Sequence, residues 1–150
     1  MNNLFNSADA AGIITRLEAL PGTAQRQWGT MQVAQMLAHC TASLETAMGL
    51  NSPKKVSFLM RLMGSMMKSG IVSSKPMPKN SPTDKLYIIT DARNFDQEKA
   101  LVIERIKAFS AGGPARCTTQ PQVFFGPMTP QEWAIMQWKH FDHHLRQFGA

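Results

Sequence analysis

Three of the four histidines in this sequence fall within five residues, at His140, His143 and His144. Each residue of an α-helix turns the chain by about 100°, so His140 and His144 lie one above the other on the same face. Two imidazoles at this spacing can bind one metal ion from a single helix. The apolar stripe of the segment runs beside His144, whereas His143 falls on the opposite, polar face, which also carries Lys139. The sequence therefore predicts that His140 and His144 form an inward-facing pair of metal ligands.

The fourth histidine, His39, lies at the edge of the apolar stripe of a second predicted helix. If that helix neighbours the last one, His39 completes a three-histidine site with His140 and His144. Three protein ligands leave a fourth position open for water or substrate, which is typical of catalytic rather than structural zinc. Imidazole ligands also suit nickel and other divalent transition metals, so these residues do not fix the metal.

Simpler interpretations exist for each of these features. A histidine at a helix edge is also explained by solvation or a hydrogen bond, and residues 140–144 by a polar helix end that the helix dipole favours. Cys40 points about 100° away from His39, into the apolar stripe, so we expect a buried and inert thiol. Methionines at helical spacing suit a copper(I) ion, but adaptable packing or a mobile cover over a pocket is the simpler interpretation. These methionines are Met60, Met63, Met66 and Met67.

The elements that must position the histidines are predicted to be helical throughout. We expect four long helices, over residues 7–20, 30–50, 94–112 and 129–148, and a short Met-rich helix over residues 56–68, between the second and third. Thr30 is the expected cap of the second helix, and TPQE at residues 129–132 is a capping box that begins the last one. Residues 71–82 and 121–127 are expected to be loops, and residues 86–90 to be extended.

Length and composition predict one domain over residues 1–150. Hydrophobic residues make up 43% and charged residues 17%, which argues against disorder and is enough for a real core. Two cysteines are too few for a disulfide scaffold, and the N-terminus lacks an export signal, so we expect a cytoplasmic protein. No apolar run approaches the roughly 20 residues that span a bilayer, so no membrane partner is expected.

The positive charge of the chain does not by itself indicate nucleic-acid binding. Sixteen Lys plus Arg against ten Asp plus Glu give a net charge of +6. Nucleic-acid-binding surfaces usually cluster their cations, whereas the longest run here is Lys54-Lys55 and the other cations are scattered. We therefore expect a solvated basic surface and no nucleic-acid partner.

Two parts of the sequence carry a family resemblance. WGTM at residues 28–31 and QMLAHC at residues 35–40 resemble the start of the second helix in the DinB/YfiT-like superfamily. FFGPMTPQEW at residues 124–133 and KHFDHHLRQFG at residues 139–149 are similar to one uncharacterised branch of that superfamily, a domain of unknown function. The resemblance covers most of the chain in layout, although residues 51–90 carry little of it.

The resemblance implies an all-α, DinB-like four-helix bundle that holds a divalent metal with three histidines. Carried over by position, these are His39, His140 and His144, which the helix-face argument also selects. Some members are thiol-dependent transferases or isomerases that use low-molecular-weight thiols, many have no established activity, and homodimers are common. The resulting hypothesis is a metal-dependent enzyme, transferase-like or hydrolase-like, in which zinc or nickel activates a water or thiol on an unknown small-molecule substrate. The alternative is a non-catalytic, metal-binding helical module.

Overall fold

Five α-helices make up most of the computed structural model, which describes residues 1–53, 57–81 and 83–150. They are α1 (Ser7–Ala19), α2 (Val33–Ala47), α3 (Phe58–Ile71), α4 (Phe95–Gly112) and α5 (Pro130–Gln147). Two short 3₁₀ helices cover Lys85–Tyr87 and Gly113–Arg116. Within these described ranges there is no strand, and a single isolated bridge joins Gln122 to Gly126. The prediction of an all-α fold is confirmed.

Four of the helices pack around a shared core, and α3 lies outside it. Helix α2 packs against α4 and α5, and α1 packs against the same two helices. The largest fully buried side chains all come from these helices or the adjoining termini, including Leu17, Leu37, Phe109, Trp133 and Phe141. Among the described side chains of α3, only Ile71 reaches the core. The arrangement is a bundle of four helices with one additional helix.

The start of α5 follows the predicted capping box. The Thr129 hydroxyl accepts a hydrogen bond from the backbone N–H of Glu132 at 3.2 Å, and the Glu132 carboxylate accepts one from the backbone N–H of Thr129 at 2.7 Å. Pro130 occupies the first helical position, where the missing N–H costs nothing. These contacts fix the first residue of the helix that carries two of the three histidines.

The predicted start of α2 is wrong by two residues. Thr30 does not cap this helix, because Gln32 is the capping residue and the Gln35 side chain accepts its backbone N–H at 2.8 Å. The helix also ends at Ala47 rather than at residue 50. Glutamine is an uncommon capping residue, so capping preferences favoured the nearby Thr30. The actual capping box is formed by Gln32 and Gln35.

The middle of the chain departs furthest from expectation. The Met-rich helix is confirmed as α3, but it continues to Ile71, beyond the predicted end at residue 68. Residues 85–87 form a 3₁₀ helix rather than an extended segment, because the Asp84 carboxylate accepts the backbone N–H of Leu86 at 2.8 Å. Some residues of these predictions lie outside the described part of the chain. They are Val56, the predicted first residue of the Met-rich helix, Pro82, the predicted end of the following loop, and the adjacent cations Lys54 and Lys55.

No helix in the described part of the chain combines the length and the apolar character needed to cross a membrane.

Candidate metal centre

The three predicted ligands come together at one point between α2 and α5. The Nε2 atom of His140 lies 3.0 Å from that of His39 and 3.1 Å from that of His144. The potential ligand nitrogens of the three rings all lie within 4.8 Å of one another. His140 and His144 are one turn apart on α5, and the packing of α2 against α5 brings His39 to them. The three side chains therefore form a cluster that could hold a metal ion.

The position of the proton on His39 is set by a backbone carbonyl. Its Nδ1 atom lies 2.7 Å from the carbonyl oxygen of Tyr87. A carbonyl only accepts hydrogen bonds, so Nδ1 carries the proton and donates it. The Nε2 atom of neutral His39 then presents a lone pair to the other two rings. The Tyr87 hydroxyl bonds to Thr46 of α2 at 2.8 Å, which ties the carbonyl-bearing 3₁₀ helix to the same helix as His39.

A glutamine side chain sets the proton position on His144 in the same way. The Nδ1 atom of His144 lies 2.8 Å from Oε1 of Gln147, whose Nε2 donates to the Trp28 carbonyl at 2.7 Å. Because the amide nitrogen of Gln147 donates to Trp28, its amide oxygen is the atom that faces His144. The Nδ1 atom of His144 must therefore be the donor. A side chain at Gly29, where φ is +77°, would collide with this amide. The lone pair of His144 Nε2 is therefore also directed into the cluster.

His140 has no neutral form that satisfies this arrangement. Its Nδ1 atom is buried and has no hydrogen-bond partner among the described residues. If the proton is on Nε2, His140 can donate it to only one of the two lone pairs of His39 and His144, and its Nδ1 atom has no hydrogen-bond partner. If the proton is on Nδ1, the Nε2 lone pairs of all three histidines point at one another. A cation at the centre accepts all three lone pairs at once. The donor set of the cluster thus fits a metal ion.

The distances and burial agree with that fit. Zinc binds histidine nitrogen at about 2.0–2.1 Å, which places tetrahedral ligand atoms about 3.3–3.4 Å apart. The two shortest separations, 3.0 and 3.1 Å, need to widen by only a few tenths of an ångström. The exposed fractions of His39 and His144 are 4% and 8%, so bulk water does not compete strongly for the nitrogens.

Burial also keeps the three rings neutral at physiological pH. Desolvation lowers the pKa of His39, although its hydrogen bond to the Tyr87 carbonyl partly opposes this. Desolvation, with repulsion from His39 among the lesser causes, lowers the pKa of His144 to about 3. Desolvation and the neighbouring imidazoles lower the pKa of His140 well below its usual value. Neutral imidazole is the form that binds metal, so the site needs no deprotonation step near pH 7.

The polar face of α5 is partly covered by other parts of the chain. Lys139 is buried, and its ammonium group donates to the carbonyls of Gly70, Ile71 and Ser73 at the end of α3. His143 is partly buried, with its ring centroid 5.0 Å from that of His144. The face carries polar side chains, as predicted, and the end of α3 supplies carbonyl acceptors for Lys139 that helical periodicity does not reveal.

A cavity of about 750 Å³ lies beside the cluster, with His143 in its wall. Neither this cavity nor a second one of about 530 Å³ near Trp133 is lined by His39, His140 or His144 in the described structure. The open coordination position therefore remains a prediction. His143 lines the larger cavity, and its ring also contacts that of His144.

Sequence reasoning missed two residues that orient the ligands. Gln147 follows His144 at i+3 spacing, a signal that would have identified it. Tyr87 acts through its backbone carbonyl, which has no sequence signature. Gln137, another buried glutamine of α5, donates to the backbone carbonyl and the hydroxyl of Ser43, at 3.1 and 3.2 Å.

Comparison with known proteins places the chain in a family without assigning it an activity. No curated protein and no solved structure matches it. A family model described as "Protein of unknown function (DUF1569)" matches residues 3–150. Because the match spans nearly the whole chain, the protein belongs to DUF1569.

Proposed function

We propose that the protein is a metal-dependent enzyme whose ligands are His39, His140 and His144. The convergence of the three Nε2 atoms, with two of the lone pairs fixed by Tyr87 and Gln147, carries the proposal. Zinc or nickel is the proposed metal, since both accept neutral imidazole ligands. Three histidines leave a coordination position for a further ligand, which is the basis for proposing catalysis.

The residues around the triad would prepare the site before the metal binds. Tyr87 and Gln147 hold the rings of His39 and His144 in the protonation state and orientation that ligation requires. When bound, the metal would supply Lewis acidity, lowering the pKa of a water or of a low-molecular-weight thiol in the fourth position. The proposed reaction is transferase-like or hydrolase-like, and a substrate would approach from the side of His143.

The domain organisation, the cellular compartment and the oligomeric state are proposed from the resemblance of the sequence to the DinB/YfiT-like superfamily. We propose that residues 1–150 form a single DinB-like domain that acts in the cytoplasm, as a homodimer by analogy. The order of the helices and the origin of the triad, one histidine from α2 and two from α5, support this relationship.

Metal analysis of protein purified without an affinity tag tests the proposal. We expect about one divalent ion per chain, and loss of that ion in His140→Ala and in His144→Ala. His143→Ala is the matched control, because this neighbouring histidine lies outside the triad; it should keep the metal. Far-UV circular dichroism shows whether each variant is folded. Folded His140→Ala and His144→Ala proteins with full metal content would overturn the ligand assignment.

The alternative function is a non-catalytic, metal-binding module, and the closed surroundings of the triad favour it. His39 and His144 are almost fully buried, and neither lines a described cavity. A purely structural metal predicts a large loss of thermal stability on chelation, whereas a catalytic metal with an open position predicts a smaller one. Thermal unfolding with and without a chelator therefore separates the two functions.

A further inference from the structure

The cavity beside His143 has a lining suited to a ligand that the metal centre does not explain. It lies between the outer face of α5, the loop that carries Trp28 and residues 73–79, which follow α3. Its volume, about 750 Å³, falls within the range of small-molecule sites. We propose that this cavity binds a small organic anion, one that joins a phosphate or carboxylate group to an apolar or aromatic body. The proposal stands whether or not the triad binds a metal.

The charges in the cavity wall are predominantly positive. Four cations line it: Lys75, Lys79, Lys139 and Arg146. Asp142 is the only acidic residue in the described lining, and it is already paired with Arg16 at 2.8 Å and with Arg146 at 2.9 Å. No carboxylate in the described ranges lies within ion-pairing distance of the three lysines. The lining therefore carries positive charge that an anion can neutralise.

Lys139 holds one of these charges at a fixed position. Its Nζ atom donates to the carbonyls of Gly70, Ile71 and Ser73 at 3.1, 2.7 and 2.7 Å. Carbonyl groups orient an ammonium group but do not cancel its charge. Lys139 thus contributes electrostatic attraction without moving, whereas Lys75 and Lys79 are exposed and can reach a ligand directly.

Aromatic side chains provide the apolar part of the site. Trp28 and Trp138 are partly buried and line the cavity. The Lys79 ammonium lies 4.2 Å from the Trp28 ring centroid, and His143 meets the same indole edge-on at a centroid distance of 5.6 Å. A flat, partly desolvated surface next to cations favours a ligand with a ring or short apolar chain beside its charged group.

The three tryptophans allow a direct binding experiment. Trp28 and Trp138 line the cavity, whereas Trp133 is 1% exposed and lines the other cavity instead, so their indole N–H resonances in a ¹⁵N-correlated spectrum report binding at this cavity and effects elsewhere separately. The probes are phenyl phosphate, phenylacetate, neutral benzyl alcohol and inorganic phosphate. We expect phenyl phosphate or phenylacetate to shift the Trp28 and Trp138 resonances at low salt, with Trp133 unmoved. Benzyl alcohol should bind about tenfold more weakly, because it lacks the charge.

Variants assign the binding to the lysines. Lys75→Gln and Lys79→Gln should each weaken phenyl phosphate binding about threefold, and the double variant about tenfold. Lys107→Gln is the matched control, because this exposed lysine of α4 does not line the cavity; its binding should be unchanged. The proposal is overturned if neither aromatic anion shifts Trp28 and Trp138 at millimolar concentration, or if the double variant binds as the wild type does. It is also overturned if inorganic phosphate and benzyl alcohol match phenyl phosphate, which would indicate unspecific ion or ring binding.

Discussion

Helices α5 and α3 are both amphipathic, yet within the described part of the chain only α5 has its apolar face covered by other elements. On α5, Trp133 and Phe141 are each 1% exposed. On α3, the exposed fractions of Leu59 and Met66 are 65% and 77%. Amphipathic patterning thus predicts a helix correctly in both regions, but it does not show whether the apolar face is covered.

The contacts that hold α3 are mostly polar or involve the backbone. Gly64 lies directly against the carbonyl of Phe124, and Lys68 bonds to Glu132 at 2.9 Å and to the Pro127 carbonyl at 2.7 Å. Lys139 binds the carbonyls at the end of the helix. Such contacts fix position and contribute less free energy than the burial of apolar side chains. The four packed helices should therefore determine global stability, with α3 contributing little.

Acidification should produce the largest change, and it acts on the packed region. Because burial lowers the pKa values of His39, His140 and His144, the unfolded chain binds more protons than the folded one once the pH falls below the unfolded value of about 6.5. The free energy of unfolding of metal-free protein should then fall by about 1.4 kcal/mol per pH unit for each ring that stays neutral. Urea denaturation of chelator-treated protein between about pH 7 and pH 5 measures this slope.

The His140→Gln variant provides the control for that slope, because it removes one of the four histidines whose pKa burial lowers, His143 being the fourth. Its slope should be smaller than the wild-type slope, by at most about 1.4 kcal/mol per pH unit, since the remaining three rings still titrate. A free energy of unfolding that does not change over this pH range would contradict the burial of the triad.

A matched pair of methionine substitutions compares the two regions next. Met36 on α2 is 1% exposed, whereas Met66 on α3 is 77% exposed. Met36→Ala should lower the free energy of unfolding by about 2–5 kcal/mol, because it leaves a cavity in the core. Met66→Ala should change it by less than about 0.5 kcal/mol. Urea denaturation measures both, and equal losses would mean that α3 is packed as tightly as α2.

Alanine substitutions at two glycines within α3 test how that helix is attached to the bundle. They have the smallest expected effects on the free energy of unfolding. A methyl group at Gly64 would overlap the Phe124 carbonyl, whereas Gly70 has open space around it. Gly64→Ala should loosen α3 and expose its amides to hydrogen exchange, but it should lower the free energy of unfolding of the whole protein by no more than about 1 kcal/mol, because α3 contributes little to it. Gly70→Ala should be neutral or stabilise by up to about 1 kcal/mol, because alanine favours the helix. Unchanged exchange in Gly64→Ala would show that another contact holds α3.

The best-predicted features were those whose signals are local in the sequence. The capping box at Thr129 and the i, i+4 spacing of His140 and His144 depend on residues within one turn, and both are found in the structure. His39 lies 101 residues from His140. Its position in the cluster was predicted by assuming that two helices are neighbours, and by the family resemblance.

The features that sequence reasoning missed depend on distant backbone groups. The Tyr87 carbonyl orients His39 across 48 residues, and the carbonyls that bury Lys139 lie 66–69 residues away. Every residue has a carbonyl, so no pattern of side chains distinguishes these. Lysine is rarely buried, and its burial here depends on three acceptors that only the folded chain brings together.

Anomalous diffraction from crystals of the tag-free protein, recorded on both sides of the zinc and nickel absorption edges, tests the central claim most directly. We predict one anomalous peak located about 2.0–2.1 Å from the Nε2 atoms of His39, His140 and His144. The peak should vanish below the edge of the bound metal. Density showing the three rings turned apart, or bonded only to one another or to water with no anomalous peak, would contradict a metal centre at this position.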